Sequence, residues 1–218
     1  MPPRLAHLRP GLRAGVAFGL AGLVLGISFG VLARPLMGPV APIVMSALVF
    51  AGAAQFGATA VLAAGGDATA AIIAGTLLNA RFLPMGVALA PSLTGGPARR
   101  AAEGQAIVDA SWALAARGGG TLDRDLLLGA TIPQYPGWVG GTVIGVFGGE
   151  AIGDPAAFGL DAIFPAFFLG LMATELRSSR ARAAALGGGA IALLLAPIVP
   201  PGLPVLAASA AALIGLRA

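Results

Sequence analysis

Charge-free apolar runs cover residues 14–33, 35–66, 126–149 and 183–216. A helix needs ~20 predominantly apolar residues to cross ~30 Å of hydrocarbon, so the longer runs hold a tilted span and part of another. The pattern predicts helical segments at 14–33, 39–64, 68–93, 126–148, 160–175, 183–198 and 203–216, with a shorter one at 105–116. The expected fold class is all-α: a polytopic integral membrane helical bundle of seven to eight segments, forming one transporter domain over residues 1–218.

Composition agrees with this pattern. Of 218 residues, 57% are hydrophobic and 10% charged, whereas soluble domains carry about 25% charged residues. This chain has too little polar surface to face water all round. The net charge of +4 comes from arginine alone, since lysine is absent. Those arginines sit at segment ends, as the positive-inside rule expects, rather than on one nucleic-acid-binding face. Cysteine is absent, and the one histidine, His7, lies in the N-terminal tail. The basic start "MPPRLAHLRPGLRAG" resembles a signal-peptide flank, but the apolar run after it exceeds an h-region of 7–15 residues. It is read as an uncleaved first helix.

Orientation follows from the basic residues. Arg4, Arg9 and Arg13 place the N-terminus in the cytoplasm. Arg117 and Arg124, then Arg177, Arg180 and Arg182, mark two more cytoplasmic stretches, and the acidic "GEAIGDPAAFG" between them, with Asp154, reads as external. Parity is then a difficulty. If 14–33, 39–64 and 68–93 all cross, Arg99 and Arg100 fall outside. Either 68–93 is a re-entrant hairpin bent at Asn79–Pro84, or 105–116 crosses back.

A doubled motif favours the second solution. "AAQFGAT" (53–59) is followed by "LNARFLP", and "IPQYPGW" (132–138) is followed by "LDAIFP". Gln–aromatic–small and Leu–Asn/Asp–Ala–x–Phe thus occur twice, in the same order. Two inverted three-segment repeats with broken helices, at 14–97 and 103–177, followed by terminal helices in 183–216, follow a recurring plan of secondary transporters.

Arg81 carries the sharpest chemical signal. Arginine at a helix centre costs ~2.5–3.5 kcal/mol on insertion scales, so it should face a cavity or a partner. Its guanidinium can hold a carboxylate bidentately; the alternative is an ion pair with Asp161 or Asp109. Pro84 removes a backbone donor and would leave the Asn79 or Ala80 carbonyl free. Asp161 is either an N-cap or an intramembrane partner for an amine or proton, and Asp109 is either such a group or a solvated acid. Gln55 lies mid-span among small residues, as substrate contact or packing glue. Tyr135, Trp138 and Trp112 fit an interface belt. Glu175 with Arg177 reads as a surface pair. No metal-ligand cluster, nucleotide-binding loop or catalytic constellation is present in the sequence, so neither an enzyme nor a cofactor is expected.

Four ordered blocks, "SALVFAGAAQFGATAVLAAG" (46–65), "LLNARFLPMGVALAPSL" (77–93), "GGTVIGVFGG" (140–149) and "GLDAIFPAFFLGLMATEL" (159–176), resemble the AzlC family of branched-chain amino acid permeases. The resemblance covers residues 11–176. It implies export of branched-chain amino acids across the bacterial inner membrane, usually with a small AzlD-type membrane subunit. This chain departs from the family pattern at Phe82, where the family typically has histidine, and at Asp109–Ala110, where it typically has Asp-Glu. A zwitterion needs a cation, an acid or carbonyls, and an apolar wall. The candidate substrate residues are therefore Arg81, Asn79, Gln55, Phe56, Phe82, Asp161, Gln134, Tyr135 and Phe164, with Asp109 and Asp161 for coupling or amine binding. The rival readings are a channel or small-solute pore, and a structural subunit of a membrane complex.

Overall fold

Residues Arg9–Met37 form one 29-residue helix, α1, with Pro10 in its first turn, where a missing N–H is harmless. A computed structural model describes residues 3–117, 122–152, 178–199 and 203–211, together with residues 159, 162, 166, 169, 170, 172, 173 and 176. After α1 come α2 (Val40–Leu48), α3 (Gly52–Ala63), α4 (Ala68–Asn79), α5 (Phe82–Leu89), α6 (Pro97–Gly104), α7 (Asp109–Ala115), α8 (Arg124–Ile152), α9 (Ser179–Leu195) and α10 (Leu203–Ser209). Among the described residues the protein is helical, without strands beyond an isolated bridge between Ala116 and Leu122. Ala6–Met37 and Ala68–Ser92 are long and apolar enough to cross a membrane. The protein is an all-α helical membrane protein.

The described residues divide into two compact units, Met1–Ala51 with Ala80–Gly153, and Gly52–Asn79 with Asp154–Ala218. The units interleave along the chain.

The first unit is built on α1 and α8. Without a hydrophobic drive between helices in lipid, association depends on close packing, and glycine lets backbones approach. Gly11, Gly15, Gly19, Gly26 and Gly30 face the α8 backbone in rising order from Leu126 to Val146. The two helices therefore run in the same direction. A Cβ at Gly19 would lie 2.7 Å from the Pro133 carbonyl oxygen, too close for any side chain. Gly137, Gly141 and Gly145 return the contact against Gly19, Leu23 and Ile27. Beyond the glycines, Phe29 stacks on Trp138 with ring centroids 6.3 Å apart, and Arg34 Nη1 donates to the Val146 carbonyl at 2.7 Å.

The stretch expected as one segment at 39–64 is instead two helices. α2 stops at Leu48, and Phe50 adopts φ 46°, left-handed for a non-glycine residue. Ser46 Oγ and Thr142 Oγ1 lie 2.8 Å apart, so α2 packs on α8. The expected crossing at 105–116 is also corrected. Only Asp109–Ala115 is helical there, seven residues, or ~10 Å at 1.5 Å per residue, and Val108 is extended. Residues 105–108 turn because the Ala106 and Val108 carbonyls accept from Ser111 Oγ, and Thr131 Oγ1 donates to Ala106 at 2.8 Å.

In the second unit, α3 packs on α4 through small residues. A Cβ at Gly75 would lie 3.4 Å from the Ala54 carbonyl oxygen, and Ala53, Ala54, Ala58, Ala71 and Ala74 are buried. Asp67 starts α4 by accepting from Ala70 N at 2.8 Å, an N-cap bond. Ser178 caps α9 in the same way, through Ala181 N at 3.0 Å. The segments expected at 183–198 and 203–216 are represented by α9 and α10, whereas most of 160–175 lies outside the described residues.

Candidate functional site

Arg81 sits at the N-cap of α5, and the local sequence explains why a helix restarts there. Pro84 is the third residue of α5, in the first turn, where its lost N–H takes nothing from the helix. The Ala80 carbonyl, expected to be freed by Pro84, accepts from Leu83 N at 3.1 Å instead. That tighter turn corrects the expectation of a free Ala80 carbonyl beside Arg81.

Arg81 Nη2 donates to Asp109 Oδ2 at 2.8 Å, with the side chains 33% and 47% exposed. Of the acids open to it in the sequence, the structure thus places Asp109 against Arg81. The Arg81 Cζ also lies 5.2 Å from the centroid of the Phe82 ring, within cation–π range. The pair contacts only one corner of the guanidinium. Arg81 Nε is buried and has no hydrogen-bond partner among the described residues. A buried donor left unpaired costs about 1–3 kcal/mol, and native proteins carry few such groups. Asn79, the last residue of α4, has a buried Oδ1 that likewise lacks a partner.

The remaining candidates divide between the units. Gln55 and Phe56 are fully buried in α3, where the Gln55 carbonyl accepts from Thr59 Oγ1 at 2.8 Å. Gln134, buried in α8, turns its amide Nε2 back to the Ala130 carbonyl at 2.8 Å. The Tyr135 hydroxyl donates to the Ala47 carbonyl at 2.9 Å, and its ring meets Phe50 edge-on, centroids 5.0 Å apart. Asp161 and Phe164 lie outside the described residues, as does Asp154.

Sequence reasoning missed Gln105. Its Nε2 donates to the Leu48 carbonyl at 2.8 Å, so the last two carbonyls of α2 are capped by side chains from α8 and from the α6–α7 turn. The only signal available was an amide flanked by alanine and glycine beside an apolar run. Near the start of α8, Glu103 is clamped by Arg124 and Arg99. Arg124 first, then Arg99, holds the Glu103 carboxyl down at about 2 against the opposing effect of burial. Arg117 beside Asp123 lowers that carboxyl from its ordinary range, with help from the Leu126 amide.

A family model described as "AzlC protein" matches residues 17–152. An uncharacterized membrane protein of Archaeoglobus fulgidus is 30% identical over 195 residues, 86% of this chain and 84% of that one. No solved structure matches the chain.

Proposed function

The chain belongs to the AzlC family of membrane transport proteins, and from that premise we propose that it moves branched-chain or similar apolar amino acids across the membrane. In this reading it is an exporter and a secondary transporter, working without ATP hydrolysis. It resides in the bacterial inner membrane with its N-terminus in the cytoplasm and acts with a small AzlD-type subunit.

One observation carries the substrate assignment: the half-used guanidinium of Arg81. Asp109 occupies one corner, and Nε stays buried without an acceptor among the described residues. A substrate carboxylate supplies that acceptor and, by taking a second N–H, makes the bidentate contact arginine is built for. Asp109 then becomes available to the substrate ammonium. Asn79, two residues earlier in the chain, offers an amide oxygen that has no partner among the described residues. Phe82 supplies apolar wall, with Gln55, Phe56, Gln134, Asp161 and Phe164 as the remaining proposed contributors.

Arg81→Lys tests this reading in proteoliposomes. Lysine keeps the charge and the Asp109 pair but loses the planar fork. A charge-assisted hydrogen bond is worth about 1.5–3 kcal/mol, so half-saturation for leucine should rise roughly 10-fold to 150-fold at near-normal membrane levels. Unchanged half-saturation would sink the carboxylate role. Flux that never saturates would favour a pore, and normal assembly with no flux in the unmodified protein would favour a structural subunit.

A further inference from the structure

A second recess, whose lining includes neither Arg81 nor Asp109, lies between α8 and the α6–α7 turn. Its volume is about 490 Å³, and it is lined on α8 by Leu128, Thr131, Ile132 and Tyr135, and completed by Ala102, Gln105 and Ala106. The α8 positions follow the spacing i, i+3, i+4, i+7, one helix face. The volume falls within the range of small-molecule sites, ~300–1,000 Å³.

Two features give the recess a chemical preference. No charged side chain lines it, so a carboxylate would find no cation there. Gln105 and Tyr135, both accessible from the recess, hold the Leu48 and Ala47 carbonyls, the terminal acceptors of α2. A helix C-terminus carries roughly half an elementary negative charge, and carbonyls at a helix break suit a cation. The left-handed Phe50 that follows fixes the break, and such strained backbone clusters at ligand sites.

The geometry points to a binding site for a primary ammonium carried on a compact branched apolar body. The apolar body fills the recess along α8. The ammonium displaces the neutral Gln105 amide from the Leu48 carbonyl, and Tyr135 keeps the Ala47 carbonyl. The ligand class rests on the transport reading above, because an apolar amino acid presents this body and this ammonium. The recess would then hold the substrate before or after its carboxylate meets Arg81.

Isoamylamine, which has the body and the ammonium but no carboxylate, isolates this site when tested in an Asp109→Asn background, which removes the ammonium acceptor beside Arg81. The test is calorimetric binding to the purified full-length protein in detergent, with isoamyl alcohol as the uncharged control. The amine should bind saturably and the alcohol should not. Gln105→Leu removes the competing donor and should tighten amine binding by roughly tenfold, the factor for one hydrogen bond. Ile132→Trp, at a half-exposed position, should abolish binding by filling the recess, and Ala102→Trp provides a second filling variant. Arg81→Lys should leave amine binding unchanged, so a failure of the carboxylate reading would appear in leucine flux alone. Equal binding of alcohol and amine would overturn the site. So would amine binding that survives both tryptophan variants, or that weakens in Gln105→Leu.

Discussion

Phe50 poses the sharpest energetic question at the scale of one residue. A non-glycine residue in the left-handed region costs roughly 1–2 kcal/mol, so glycine would relieve strain there. The ring opposes that gain. Phe50 is 7% exposed and meets Tyr135 edge-on; deleting a buried phenylalanine side chain costs about 3–5 kcal/mol. Packing therefore wins, and Phe50→Gly should destabilise the protein by about 1–4 kcal/mol, visible as a lower unfolding temperature in detergent. A higher unfolding temperature would show that backbone strain dominates. Arg81 was legible at this scale as an intramembrane cation, because its surroundings in the sequence are apolar. Its partner was not, since Asp109 and Asp161 were equally open until residues 105–108 turned and brought α7 beside α5.

Glycine placement makes the element scale testable. Gly19 and Gly22 are three residues apart on α1, yet they meet different surroundings. A Cβ at Gly19 would strike the Pro133 backbone at 2.7 Å, whereas at Gly22 the nearest α8 atoms are 3.8 Å away. Gly140 has open space. Gly19→Ala should separate α1 from α8 and cut folded yield sharply. Gly22→Ala and Gly140→Ala should be neutral or gain up to ~1 kcal/mol of helix propensity. Equal losses for all three, read by thermal unfolding, would remove close helix approach as the basis of this pair. The fourfold spacing of Gly11, Gly15 and Gly19, and of Gly137, Gly141 and Gly145, stood in the sequence. Which helix each stripe met did not, because a small-residue stripe names no partner. The break in 39–64 was hidden for another reason: no glycine or proline occupies position 50, so the turn rests on a phenylalanine held by packing.

Direction and charge combine at the scale of the whole molecule into a statement about topology. α1 and α8 run parallel, so Arg9 and Arg13 share an end with Arg124. Arg99 and Arg100 join them: Arg124 holds Glu103 of α6, and Arg100 Nη2 donates to the Ala90 carbonyl at 3.0 Å. Leu89 meets Leu127 and Ala115 in the same apolar cluster, so α5 descends toward that end. These arginines gather at one end, and the parity conflict raised by Arg99 and Arg100 disappears without a crossing at 105–116. Parallel spans require a net single return between Gly38 and Leu93. Ala68–Ser92 is long and apolar enough to supply it, whereas α2, nine residues, and α3, twelve residues, reach only ~14 and ~18 Å. The chain has no native cysteine, so introduced ones report alone. Cysteines at positions 6, 98 and 117 should label from one side of the membrane, the cytoplasm by the positive-inside rule. A cysteine at position 38 should label from the other. Position 98 labelling together with position 38 would mean that residues 39–93 cross an even number of times, and α1 and α8 could not then lie parallel.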